Sequence, residues 1–178
     1  MTHPPESERT GPSSTEALQP GSRLPSLGRR GGGWVALQIV IFAVAGVVGW
    51  LGMRWPSPAR PWLGVAGGVA LVAGVGLLLA GGAGLGTQLT PFPRPVDAGA
   101  LRQDGIYGYV RHPIYGGVLL LILGWALTSS PLTLVPFALA AGFFDAKRRR
   151  EEVWLQGKYP DYAAYRERVA RRFVPFLW

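Results

Sequence analysis

Two clusters of ionisable and aromatic side chains stand out along the chain. The first is Gly105-x-Tyr107-x-x-x-Arg111-His112-Pro113-x-Tyr115-x-Gly117. The second, much further on, is Glu151-Glu152. A guanidinium, an imidazole, two phenols and a carboxylate pair can pair charge and exchange hydrogen bonds around a polar ligand. Each residue also has a plain role. Arg111 can anchor in phosphate headgroups, the tyrosines can form an interfacial belt, and His112 can be a surface histidine. Glu151 and Glu152 can neutralise Lys147–Arg150 at helical spacing. The plain roles lose ground only if the scaffold brings the two clusters together.

That scaffold is apolar. The 178 residues have room for one domain; 48% are hydrophobic and 16% charged, where a soluble domain carries roughly 25% charged. The 26 Gly and 16 Pro then point to helices packed closely in lipid. With 0 Cys, disulfides, thiolate nucleophiles and cysteine-ligated zinc or iron–sulfur sites are excluded. Two His, His3 and His112, are too few for a His-rich metal site, so no metal is expected. The net charge of +8 would suggest nucleic acid as a partner of a soluble protein. The positions of the charges exclude that reading.

Residues 34–53 carry no charge, and as a helix they cover about 30 Å, enough to cross the hydrocarbon core. A second span fits 62–89. The uncharged run 113–144 is broken by Thr128-Ser129-Ser130-Pro131, with Ser130 suited to an N-cap and Pro131 to a first helical position. It predicts a helical hairpin of spans 113–128 and 131–144. Four spans place 1–33, 90–112 and 145–178 on one side, with four, three and nine of the 18 Lys/Arg, against two in 54–61. By the positive-inside rule both termini are cytoplasmic. The expected fold is all-α integral membrane, with four transmembrane helices and a cytoplasmic helical extension, 145–178. The prevalence of Arg over Lys, with abundant Gly and Pro, suggests a GC-rich genome and a bacterial cytoplasmic membrane.

Residues 1–33 have no hydrophobic periodicity and are expected to be a disordered tail, leaving 34–178 as the membrane domain. Arg29-Arg30 serves as a positive-inside anchor rather than an export signal. In the second span, Gly64/Gly68 and Gly82/Gly86 form small-xxx-small pairs suited to helix contact. Gly81–Gly86 (GGAGLG) does not fit a nucleotide loop. Pro91, Pro93 and Pro95 forbid a regular helix and favour an extended surface segment. The last membrane helix is expected to run on to Gln156 and stop at Gly157, with Lys147–Arg150 at the headgroups. A short helix then starts near Asp161. Its Tyr162, Tyr165 and Val169 share one face, and it either lies on the membrane or closes over a site.

A hairpin sets the start of its first helix beside the end of its second. Arg111, His112, Tyr107, Tyr115, Glu151 and Glu152 would thus converge at a membrane-edge pocket. Arg111-His112-Pro113-x-Tyr115-x-Gly117, a hairpin, then Glu151-Glu152-x-x-Leu155 resembles the isoprenylcysteine carboxyl methyltransferase family, which forms one membrane group with the bacterial phospholipid methyltransferases. Tyr159-Pro160-x-Tyr162-x-x-Tyr165 and Phe173-x-Pro175 fit the same pattern.

The resemblance implies an integral-membrane methyltransferase that uses S-adenosylmethionine on a lipophilic acceptor: a prenylated thiol compound's carboxylate, a phospholipid amine or another lipid. It places cofactor binding at Tyr107, Arg111, His112, Pro113, Tyr115, Glu151 and Glu152, with His112 and Glu152 as catalytic candidates. Arg111 would pair with the cofactor carboxylate. A Glu would accept from ribose hydroxyls or the ammonium, and Tyr107, Tyr115 or Trp154 would face the sulfonium. A carboxylate acceptor needs no base, whereas an amine must lose a proton to His112 or a Glu. The competing readings are a nicotinamide-dependent sterol-type reductase and a non-catalytic relative. Against the reductase, Ile114 and Val118 stand where its Arg-His-x-Asn-Tyr-x-Gly-Glu pattern has Asn and Glu.

Overall fold

A computed structural model describes residues 32–92 and 99–175, all of whose regular structure is helical. The five α-helices are α1 (Gly32–Leu51), α2 (Arg60–Leu85), α3 (Pro113–Thr128), α4 (Leu134–Lys158) and α5 (Tyr162–Arg168). Helices α1 and α2 are long and apolar enough to cross a membrane, and α3 is a shorter apolar helix. Their outward residues include Ile39, Val47, Trp50, Val65, Val72 and Leu79, a belt that water would not tolerate but lipid does. Most of the tail (1–31) and the segment 93–98, with Pro93 and Pro95, lie outside the described residues.

The hairpin forms as expected. Pro113 opens α3 and Thr128 ends it. Ser130 Oγ accepts from the Leu132 amide at 3.3 Å, and Pro131–Thr133 makes one 3-10 turn before α4 begins. The turn itself is not a loop in solvent. Ser129 and Ser130 are 2% and 0% exposed, set against Gly49 of α1 and Gly52 just after it. Trp125 Nε1 donates to Ala45 O at 3.1 Å, and Trp55 Nε1 to Ala126 O at 2.9 Å. One indole of α3 thus donates to a main-chain carbonyl of α1, and the indole that follows α1 donates to one of α3.

Helices α2 and α3 meet backbone to backbone. A Cβ on Gly74 would lie 2.9 Å from Gly117 O, and one on Gly117 would lie 2.9 Å from Gly74 O. Two turns along, Gly67 and Gly124 repeat the arrangement at 2.9 and 2.7 Å. The contact stripe therefore advances by seven residues, the step that keeps one helix face on its partner. The expected Gly64/Gly68 and Gly82/Gly86 pairs are not in it. A Cβ at Gly64, Gly68 or Gly86 would meet nothing within 4 Å, and Gly82 would meet only Leu89 at 4.0 Å.

Helix α4 continues beyond the expected Gly157 to Lys158. Its basic run does not lie uniformly among headgroups: Lys147 and Arg148 are 1% and 6% exposed. α5 closes over the C-terminal part of α4, with Tyr162, Tyr165 and Val169 packed on Leu101, Leu155 and Tyr159. Asp161 occupies its N-cap position without a side-chain capping bond. The chain after α5 returns to α3. Arg171 O and Arg172 O accept from the Arg111 and His112 amides at 3.1 and 2.8 Å. Phe173 then crosses so close that a Cβ on Gly116 would fall 1.8 Å from its carbonyl oxygen.

Candidate active site

The first cluster sits where the loop ahead of α3 becomes helix, and the second lies on α4 beyond the apolar part of the hairpin. Because α3 and α4 are antiparallel neighbours, they meet. Glu152 Oε1 accepts from Arg111 Nε at 3.2 Å and lies 3.0 Å from His112 Nε2. Arg148 Nη1, one turn back on α4, donates to Glu152 Oε2 at 3.1 Å. Arg111 Nη1 also donates to Val169 O, tying the motif to the returning tail. Tyr115 donates to Glu151 Oε2 at 2.6 Å and stacks on the His112 ring, with centroids 5.4 Å apart.

These groups border one pocket. Tyr107, Arg111, His112, Pro113 and Tyr115 line it from the loop and the start of α3, and Glu151 from α4. Leu85 and Ile114 supply apolar wall from α2 and α3, while Tyr159, Tyr162 and Tyr165 close it from the extension. Glu152 is not on the wall. It is 6% exposed and holds Arg111, His112 and Arg148 together from behind. Trp154 is also absent from the wall, its ring covered by the Arg150 guanidinium at 4.7 Å. The Arg111 fork, expected to meet a ligand carboxylate, is engaged at Nε and Nη1 by Glu152 and Val169.

The charges fix protonation. Burial alone would raise the Glu152 carboxyl, but its hydrogen bond to His112 and the charges of His112, Arg111 and Arg148 outweigh that and hold it at about 2. It is therefore ionised and accepts only. Its contact with Nε2 requires a hydrogen on that nitrogen, and in a neutral ring the lone pair then lies on Nδ1. Nδ1 faces Glu151 Oε2 at 3.7 Å. Burial pushes the Tyr107 and Tyr162 phenols well up, with help from nearby glutamates, and Tyr165 up to about 12. All three remain hydrogen-bond donors at neutral pH. Tyr107 donates to Gly81 O at 3.2 Å and Tyr165 to Tyr107 O at 2.8 Å. The Tyr162 hydroxyl is buried with no partner among the described residues.

Several contributors were not singled out from sequence. Arg148 was treated as part of a basic run, although its i,i+4 spacing to Glu152 and i,i+3 spacing to Asp145 carried a signal. Lys147 reaches Gln38 Oε1 at 2.7 Å and Pro91 O at 2.9 Å, with the Tyr115 ring 5.3 Å from Nζ. The tail docks by main-chain bonds, which leave no side-chain signature, and by the buried Phe173 ring, whose centroid lies 6.4 Å from that of His112. Among the described residues no group of His, Asp and Glu is disposed to hold a metal.

A model of the phospholipid methyltransferase family matches residues 62–162, from the start of α2 to the start of α5. No curated protein matches the chain. The matched stretch contains both clusters and the hairpin that joins them, and it covers more than half of the chain. The chain belongs to the phospholipid methyltransferase family, part of the membrane group that includes the isoprenylcysteine carboxyl methyltransferases, and is an S-adenosylmethionine-dependent methyltransferase.

Proposed function

We propose that the protein spans the membrane four times with both termini cytoplasmic, and methylates the amine of a phospholipid that reaches the pocket from the bilayer. The placement of the pocket carries this reading. Leu85 and Ile114, on helices with lipid-facing surfaces, share its wall with His112 and Glu151. A lipid headgroup can meet an ionic site there while its chains stay in the membrane. The four-span arrangement is supported by the charge asymmetry and by the packing of the hairpin turn on Gly49 and Gly52, near the end of α1.

The pocket fits its cofactor in donor set. S-adenosylmethionine, when bound, supplies a methyl group on a positively charged sulfonium. Glu151 offers a carboxylate to an ammonium or to ribose hydroxyls, and Tyr107 offers a ring face to a cation, while the Tyr115 ring is taken by His112 and Lys147. Arg111, Pro113 and His112 shape the wall, and the unpartnered Tyr162 hydroxyl leaves one donor unused.

A phospholipid ammonium must lose a proton before its nitrogen can attack. His112 Nδ1, carrying the ring lone pair, is the acceptor in this reading. Glu152 is a positioning residue: it fixes the tautomer through Nε2 and stabilises the imidazolium that forms, as the third member of a nucleophile–base arrangement does. With His112 neutral its charge no longer helps to lower the Glu152 carboxyl, but the Arg111 and Arg148 charges still do and both Glu152 oxygens are engaged, so Glu152 is itself a poor proton acceptor. Glu151 adds negative charge on the Nδ1 side. The residues align donor and acceptor for an in-line transfer.

The test is to incubate membranes containing the protein with methyl-labelled S-adenosylmethionine and extract them into organic solvent. Label should enter the solvent phase, resist alkali, and fall at least tenfold with His112→Ala. Label released by alkali as methanol would identify an ester and overturn the amine assignment. Label confined to water-soluble molecules would overturn the lipid acceptor. For topology, Ser57→Cys, at an exposed position, should react with an impermeant maleimide outside intact cells, and exposed Gln156→Cys should not.

A further inference from the structure

Four side-chain polar atoms among the described residues are buried without a hydrogen-bond partner: Trp34 Nε1, Thr133 Oγ1, Arg150 Nε and the Tyr162 hydroxyl. Burying a hydroxyl unpaired is costly, so each such group asks for a reason. Of the four residues, only Tyr162 lines the pocket. It is 1% exposed, wedged edge-on against Tyr165 with ring centroids 5.8 Å apart. That packing allows the ring little freedom to swing its hydroxyl to water. Burial and the two glutamates hold the phenol protonated, so it presents a donor.

We propose that the Tyr162 hydroxyl is a cofactor-binding donor, completed by a hydrogen bond to an acceptor atom of S-adenosylmethionine. This rests on the pocket being the cofactor site. Tyr162 belongs to the extension that closes the pocket over Arg111, outside the membrane helices, on the side a water-soluble cofactor enters. The apolar wall of Leu85 and Ile114 is left to the lipid. The ring supplies packing whether or not a ligand is present, whereas the hydroxyl is paired only when one is bound. Binding and folding therefore place opposite demands on one oxygen atom.

Tyr162→Phe separates them, with S-adenosylhomocysteine as the probe and purified full-length protein in detergent. Affinity, measured by calorimetry, should fall about 3- to 10-fold, the usual worth of one neutral hydrogen bond. The melting temperature without ligand should stay level or rise, because an unpaired buried hydroxyl has been removed. Thr133→Val removes a second unpaired hydroxyl, 0% exposed, in the hairpin turn away from the pocket, and should leave affinity unchanged. Unchanged affinity in Tyr162→Phe would overturn the proposal, as would a lower melting temperature without ligand, which would reveal an internal partner. Failure of the unsubstituted protein to bind the probe would instead count against the pocket as the cofactor site.

Discussion

The contact between α2 and α3 and the contact between the loop ahead of α3 and the C-terminal part of α4 are built from opposite materials. The first is glycine on glycine: Gly67 and Gly74 of α2 face Gly124 and Gly117 of α3 with main-chain oxygens in reach. The second is charge on charge: Arg111 and Arg148 with Glu152, and Arg148 with Asp145. In lipid, apolar side chains gain little by leaving their surroundings, so helices associate by close fit. At the membrane edge, water is near enough to make ionised groups affordable, yet their burial makes each pairing consequential. α3 carries the first along one face, and Arg111, just ahead of its start, carries the second. The glycine face holds the scaffold, and the charged end holds the site.

The largest effect is expected where a buried charge loses its partner. Glu152→Ala leaves Arg111 and Arg148 facing each other, and should cost about 3–5 kcal/mol of stability, read as loss of folded protein in detergent. Because the Glu152 carboxyl is lowered from 4.5 to about 2, its contribution is complete above pH about 4.5 and is lost as pH falls through about 2. A Glu152→Gln protein should lack that acid-dependent loss. If its acid titration of stability matched the unsubstituted protein, the ion cluster would not be what holds Arg111 to α4.

Gly74→Val tests the other face. Its new carbons would meet Gly117 O and Leu121, and carbonyl oxygens cannot yield as a side-chain end can. A loss of about 1–3 kcal/mol is expected. Gly64→Val should be neutral, since nothing lies within 4 Å of that position. Equal effects from the two substitutions would show that helix propensity, rather than contact, decides stability here.

Lys147 bridges the two regimes. Burial lowers its ammonium from 10.5 to about 8, against the opposing charge of Glu151. Between those values the unfolded chain holds more protons, so this group makes stability rise with pH from about 8 toward 10.5. Lys147→Met should flatten that slope in thermal melts, and a slope unchanged by the substitution would assign it elsewhere. The smallest effect belongs to Arg149, whose side chain is 64% exposed in its pair with Asp145. Arg149→Ala should cost about 0–1 kcal/mol, and a larger loss would mean that Asp145 depends on it despite Arg148.

Much of this arrangement was legible in the residues. Pro113 and Thr128 bound α3 as read, because a proline start and a serine–proline break act locally. The convergence of Arg111 with Glu152 followed from topology alone, since an antiparallel pair must bring those positions together. What escaped reading depended on direction. Glycines were paired at four-residue spacing, but with so many in α2 the sequence does not say which row faces α3. Lys147 and Arg148 looked like surface charge because a run of four basic residues hides which ones turn inward. Trp154 was offered to the ligand, yet Arg150 one turn before it covers the ring. The docking of the tail on Arg111 and His112 uses peptide groups, which every residue has.

That docking gives the enzyme an order of assembly in time. Residues 169–173 are made after α1 to α4, and they are the ones that seat the Arg111 guanidinium, cap the Arg111 and His112 amides and lay Phe173 over Gly116. A nascent chain whose helices have already entered the membrane still lacks these contacts. The ribosome delivers these contacts after α1 to α4, so the candidate site is complete only once that helical scaffold has been made.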